Sequence, residues 1–354
     1  MNWSPFLLEN LPFAHGAPLG QATLRAVPED FQVDEISGFE PSGEGEHLFL
    51  HIRKRNQNTS WVASQIARAI GLSEDLVSYA GMKDRRAVTT QWFSVHIPNR
   101  QMPDLSAVWT DEIELLSHTW NARKLKRGAH QGNRFMITLR DVDGDRETLE
   151  QRLATIAEQG VPNYIGPQRF GINGGNLPAG AALLASKPKR RLNHRESLGV
   201  SAVRSALFNK VLAERIQLNA WAIQLPGDVL QLDGRNSFFC PDADDAALPE
   251  RLARQEIHPT GPFFGAGTSP VTDDVLALEN TVAEQAEGLV ERLARFGLDN
   301  QRRSLRLHVR ELVSEWLEEG SLRLTFALPS GAFATSVLRE LVQLRESADA
   351  LPVE

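Results

Sequence analysis

The sequence has a single cysteine and no surplus of positive charge, and each scarcity removes a class of explanation. With Cys240 alone, an intrachain disulfide and a thiolate metal cluster are both excluded, and a reducing cytoplasm suits the chain best. Lys and Arg number 38 against 45 Asp and Glu, a net charge of -7 with His neutral. Indiscriminate coating of nucleic acid needs the opposite balance. No run approaches the roughly 18 apolar residues of a membrane span. The N-terminal stretch MNWSPFLLENLPFAHG lacks the basic region and apolar core of a secretory leader. Familiar enzyme signatures are missing too: there is no P-loop, dinucleotide fingerprint, Gly-x-Ser-x-Gly elbow or metal-binding His pair on a helix. The nine His are scattered without ligand spacing, so no metal is indicated. The glycines between Gly171 and Gly175 lack the Lys-Ser/Thr of a phosphate cradle.

What is present is a chain of 354 residues, enough for about two domains, with the 42% hydrophobic and 23% charged composition of a soluble protein. Its cations are clustered: Arg53-Lys54-Arg55, Lys83 with Arg85-Arg86, Arg123-Lys124 with Lys126-Arg127, and Lys187 with Lys189-Arg190-Arg191. An acidic chain with such clusters can still turn one positive face to a polyanion, and solvated loops are the bland alternative.

Alternation at Leu48, Leu50 and Ile52 predicts a strand. Val62, Ile66 and Ala69-Ile70 then share a helical face, with Asn58 or Thr59 as N-cap and Gly71 just past the end. A second short helical stretch is predicted near Ser73 to Ser78. Further strands carry Phe93, Val95 and Ile97, then Phe135, Ile137 and Leu139, and a helix with Leu149, Leu153 and Ile156 closes at Gly160. Beyond Gly160 the chain is richer in Gly and Pro, which marks a domain boundary. An amphipathic helix with Val203, Leu207, Val211, Leu212 and Ile216 follows, and a long helix is predicted from about Val275 to Phe296. A last strand with Leu322, Leu324 and Phe326 leads through Pro329-Ser330-Gly331 into a helix with Val337, Leu338 and Leu341. This final pair resembles the first domain, so the middle reads as an insertion.

Between structured elements stands Gly81-Met82-Lys83-Asp84-Arg85-Arg86-Ala87-Val88-Thr89, one carboxylate among three cations in a loop. A carboxylate inside a loop that faces RNA repels its ligand, so Asp84 calls either for a chemical role or for a local salt bridge with Lys83, Arg85 or Arg86. The residues alone leave both open.

The stretch is similar to the Gly-x-Lys-Asp-(Lys/Arg)-x-Ala-x-Thr signature of the TruD family of tRNA pseudouridine synthases. Further likenesses follow in the family's order: Pro28-Glu29-Asp30-Phe31; Lys124-Leu125 with Gly128 and Gly132-Asn133-Arg134-Phe135; Pro162-Asn163-Tyr164 with Gln168-Arg169-Phe170-Gly171; and Pro329-Ser330-Gly331-Ala332-Phe333-Ala334-Thr335. They span nearly the whole chain. The chain departs from the family pattern at Lys126, where Arg is commoner, at His130, where an apolar residue is usual, and at Ile165, where an aromatic is common.

The resemblance implies an α+β fold: a mixed or mainly antiparallel pseudouridine-synthase-type sheet flanked by helices, with an inserted smaller α/β domain, the TRUD domain. Residues 1–159 and 307–354 would form the discontinuous catalytic domain and 160–306 the insertion. It implies isomerisation of uridine in tRNA, at the position numbered 13, with Asp84 as nucleophile and Phe31, Asn133, Phe135, Phe333 and Lys83 at the substrate. Uracil is cut from its sugar, turned and rejoined through carbon, chemistry in which a carboxylate can attack covalently. Asp84 would attack the sugar, attack the base, or withdraw a sugar proton. At least one of the three phenylalanines would stack on the base, worth roughly 1 to 3 kcal/mol against a flipping cost of a few kcal/mol. An internal rearrangement implies no cofactor, and the implied partner is tRNA, met by a monomer. Rival expectations are a non-catalytic tRNA-binding or tRNA-folding protein and a nucleoside glycosidase whose second carboxylate would be Glu29 or Asp30.

Overall fold

The computed structural model describes residues 3, 8–188, 191–242 and 245–346. Strands β1 (Gln21–Leu24), β2 (Phe31–Ile36) and β3 (His47–Arg55) come first, then helix α1 (Thr59–Ile70) and strands β4 (Val77–Tyr79), β5 (Val88–His96), β6 (Ile113–Asn121) and β7 (Gly132–Asp143). Helix α2 (Arg146–Gln159) leads to β8 (Val161–Pro162), α3 (Asn176–Ala185), α4 (His194–Gln217), β9 (Leu230–Leu232), β10 (Phe238–Phe239), α5 (Leu248–Ala253) and β11 (Ile257–Phe263). The chain continues with α6 (Asp273–Gln285), α7 (Leu289–Arg295), β12 (Gln301–Ser304), β13 (Arg306–Leu307), β14 (Arg310–Trp316), β15 (Leu322–Pro329), α8 (Ala334–Leu338) and β16 (Gln343–Glu346).

Two compact units result. Among the described residues, one holds 19–153, 310–331 and 342–346, and the other holds 3, 8–18, 154–309 and 332–341. Relative to the expected partition, the edges differ: residues 8–18 and 332–341 pack with the middle segment. Tyr164 of the middle segment holds both, its hydroxyl donating to the Pro12 carbonyl at 3.2 Å and its carbonyl accepting from the Ser336 hydroxyl at 2.9 Å, and two further side chains join the segments to each other. Glu340 is fully buried and accepts from the backbone N–H of Ala14 and His15 at 2.9 and 3.1 Å, while Arg339 donates to the carbonyls of Leu8, Leu11 and Pro12.

The first unit is built on a ten-stranded mixed sheet ordered β14-β15-β7-β2-β5-β3-β6, with β1 between β7 and β16, and β4 added beside β5. Among the described strands of this sheet, only the β2–β5 and β1–β16 pairs are parallel. Alternating side chains along β3 and β5 place Leu50, Ile52, Phe93 and Val95 against Val62, Ala63 and Ile66 of α1, one buried apolar layer. Helix α1 starts and stops where its capping residues predict, with Gly71 in the left-handed region at φ 75°. The predicted helix near Ser73 is instead one 3-10 turn, Glu74–Leu76, followed directly by β4. Val77 and Tyr79 turn the same way there and pack with the core of β5.

In the second unit, α4 forms the centre of a core with Phe208, Leu212, Tyr164, Phe170 and Leu293, beside a four-stranded antiparallel sheet β10-β9-β11-β12. Helix α4 opens with a capping box, Asn193 and Glu196 each bonding the other's backbone N–H. The long helix expected to Phe296 breaks into α6 and α7, because Glu287 and Gly288 sit at φ 50° and 76°, in the left-handed region. A hydrophobic stripe does not register such a turn. Among the described residues, no helix is long and apolar enough to cross a membrane.

Candidate active site

The site is assembled on one face of the ten-stranded sheet. Strand register sets Lys54 of β3 opposite Thr89 of β5, Thr89 opposite Val33 of β2, Val33 opposite Phe135 of β7, and Phe135 opposite Phe326 of β15. Two residue pairs along, Glu35 faces Asn133. Four of the six residues singled out in the sequence thus arrive together through register or through the loop above it: Phe135, Asn133, Lys83 and Asp84. Phe31 joins them, opposite Ile137 on the same face.

The loop from Ala80 to Ala87 has no regular structure, yet side chains of its neighbours hold it. Gln91 donates to the carbonyl of Gly81 at 3.0 Å. The Thr59 hydroxyl donates to Gln91 Oε1 at 2.9 Å and accepts from the backbone N–H of Lys83 at 3.0 Å. Lys54 Nζ donates to the carbonyls of Asp84 and Gln57 at 3.0 and 2.7 Å. Lys83 points inward, where its ammonium meets Glu35 Oε2 at 2.9 Å, and the other Glu35 oxygen accepts from the N–H of Trp92. This ion pair is almost wholly buried, and the low dielectric strengthens both bonds.

Asp84 does not pair with Lys83, Arg85 or Arg86. Its partner is Arg25, whose Nη2 lies 2.8 Å from Oδ2, and the Asp84 side chain stays 36% exposed. Arg25 reaches it from the bend after β1, where it occupies φ 59°, a left-handed conformation that few non-glycine residues adopt. Its guanidinium lies over the Phe31 ring at 4.1 Å and so bridges carboxylate and aromatic floor. Nothing in local sequence joins positions 25 and 84, and the basic residue just before Pro28-Glu29-Asp30-Phe31 is the one hint the sequence offers.

Phe31 and Phe135 meet edge to face at 6.1 Å, and Phe135 stacks on Phe326 at 5.4 Å; both are buried. Asn133 is half-buried, and its Oδ1 has no hydrogen-bond partner among the described residues. The same holds for Arg25 Nε, Thr89 Oγ1 and His130 Nδ1. Unpaired buried polar atoms are costly, and four of them stand in the unit that carries this loop. His130 packs its ring beside Gly81, where an added Cβ would lie 3.0 Å from Cε1, and bonds the Ser330 hydroxyl through Nε2. Burial, and then the Lys83 charge, hold its pKa below the usual value against the opposing pull of Glu35. Phe333 belongs to the second unit, at the N-cap of α8, with its ring against Gly166.

The carboxylates proposed for a glycosidase are engaged elsewhere. Asp30 is buried and gripped by Arg140 through three bonds of 2.7 to 3.0 Å, and Glu29 pairs with Arg55, whose hydrogen bond lowers its pKa. A general acid needs the reverse shift. Of the basic clusters, the first is spent on Glu114, Glu29 and Glu112 and on the buried Lys54. Arg123, Lys124, Lys126 and Arg127 are exposed and have no ion-pair partner among the described residues. Lys187 and Arg191 are exposed, while Lys189 and Arg190 lie outside the described residues.

The family model described as tRNA pseudouridine synthase D (TruD) matches residues 11–194 and 191–341. The chain is 48% identical to the tRNA pseudouridine synthase D of Xanthomonas campestris pv. campestris over 97% of both chains. It is 47% identical to that of Methylococcus capsulatus over 95% of both. Its fold matches the crystal structure of a candidate tRNA pseudouridine synthase D (TruD) from Methanosarcina mazei with a TM-score of 0.70, at 20% identity, over 94% of this chain and 95% of that one.

Proposed function

The chain belongs to the TruD family of tRNA pseudouridine synthases, and from that premise we propose that it isomerises uridine 13 of tRNA with Asp84 as the nucleophile. The observation that carries the reading is the exposed Asp84 carboxylate, held by Arg25 above an aromatic floor and beside polar atoms without partners.

In this reading the uridine is turned out of its stack and its base enters the space beside Asp84. Asn133 Oδ1 accepts an N–H of the uracil edge, which gives that buried oxygen its missing partner. Phe31 and Phe135 supply an apolar floor that limits water around the detached base. Phe333 is carried into a base-contacting role by its motif alone. Lys83, bonded to Glu35, acts by fixing the loop and its charge near the substrate. Arg25 balances the Asp84 charge and releases or retains it as the covalent bond forms and breaks. The bond from the sugar to N1 of uracil breaks and one to C5 forms, C5 gives up its proton and N1 takes one up, so atoms and electrons balance without a cofactor. The protein works on tRNA in the cytoplasm as a monomer.

The test is position-mapped conversion in unmodified tRNA by the purified protein alone. Pseudouridine at position 13, and none in a tRNA carrying cytidine there, is the expected result; modification at other uridines only would refute the assigned position.

A further inference from the structure

Lys54 stands at an inward position of β3, in the alternating row that includes Leu50 and Ile52, and is fully buried. A methionine would fill that volume at no electrostatic cost, whereas an ammonium must be stripped of water. Among the described residues no carboxylate bonds it. Its hydrogen bonds run to two backbone carbonyls, those of Gln57 and of Asp84 itself. The residues opposite it on the neighbouring strands, Thr89 and Ile113, are uncharged. The charges that face it belong to the loop: Asp84, which favours its protonated form, and Lys83, which opposes it.

We propose that Lys54 is a positioning residue of the isomerisation, a buried ammonium that fixes the peptide of Asp84 to β3 and thereby sets where the nucleophile's carboxylate stands. The inference rests on the reading of Asp84 as nucleophile. Arg25 holds the carboxylate at one end and Lys54 holds the backbone at the other, so the residue is gripped on both sides. Small displacements of a reacting group can cost about 10²-fold in rate, which gives such a grip kinetic weight. Burial brings the Lys54 pKa down to about 8, so mild alkali removes the charge that strengthens both carbonyl bonds and leaves the weaker clamp of a neutral amine.

The experiment compares the parent, Lys54→Met, Lys54→Arg and Asp84→Asn for tRNA affinity and for single-turnover conversion at saturating tRNA between pH 6.5 and 9.5. Lys54→Met is expected to melt no lower than the parent, since a desolvated charge is removed, and to bind tRNA within about twofold. Its single-turnover rate at neutral pH is expected to fall by about 10²-fold. Lys54→Arg is expected to recover part of that rate and to keep it as pH rises. A folded Lys54→Met that converts at the parent's rate, while Asp84→Asn is inactive, overturns the proposal and leaves the nucleophile standing. Conversion by Asp84→Asn removes the reading on which the proposal rests. If Lys54→Met does not fold, amide hydrogen exchange in the parent decides. Protection at residues 81–87 should fall between pH 7 and 9.5 relative to β3 and β5, and unchanged relative protection overturns the proposal.

Discussion

At the scale of single residues, the site is defined by contacts that sequence separation conceals. The sequence motif marks Asp84 and Lys83 and leaves open a salt bridge from Asp84 to Lys83, Arg85 or Arg86; the fold gives Asp84 and Lys83 partners from elsewhere, Arg25 and Glu35. Phe31, Phe135 and Asn133 were legible through their motifs, and alternation along β2 and β7 brings them to one face. Glu35 and Lys54 were not, because a charged residue in a strand gives no local sign of what it meets across the sheet, and Arg25, in the bend after β1, gave only the hint of a basic residue before Pro28. His130, a departure from the family pattern, adds a titration of its own. Its folded pKa is lowered, so the unfolded chain binds the proton more tightly. The stability it contributes is therefore complete above the unfolded value of about 6.5 and is lost as pH falls through the folded one. Thermal melts of His130→Phe should show a smaller loss of Tm than the parent between pH 7 and 5. An equal loss in both proteins would contradict this.

At the scale of elements, periodicity was a good guide where one local face decides and a poor one where a turn does. Helix α1 was readable from its apolar stripe and caps, and strands β3, β5, β7 and β15 from alternation. The pairing order β15-β7-β2-β5-β3 was not, since it joins strands far apart in the chain. The break between α6 and α7 escaped because Glu287 and Gly288 reverse the backbone without interrupting the hydrophobic pattern. The segment joining β6 to β7 illustrates function at this scale. Arg123, Lys124, Lys126 and Arg127 are exposed, and Leu125 between them is buried and pins the segment to the sheet. Reversing charge at Lys124 and Lys126 together should weaken tRNA binding and reduce the slope of log affinity against log salt by about 2, roughly one for each phosphate that is no longer neutralised, while Tm stays put. An unchanged slope would remove this segment from the RNA-binding surface.

At the scale of the whole molecule, a chain of net charge -7 keeps cations without ion-pair partners among the described residues in particular segments and pairs many of the others. Two domains were expected from length, and two compact units are found, each with its own core. What the sequence did not signal is that residues 8–18 and 332–341 pack with the middle segment, where Tyr164 bonds Pro12 and Ser336, while Arg339 and Glu340 join the two segments to each other across more than 320 positions. Family membership is settled by the match over nearly the full length. The central proposal is chemical: Asp84 would attack, and the groups around it would position or shield it. Single-turnover conversion of unmodified tRNA by the parent and by Asp84→Asn, with tRNA affinity measured for both, tests it most directly. The account predicts pseudouridine from the parent and none from a variant that still binds tRNA; conversion by the variant at a comparable rate would contradict it.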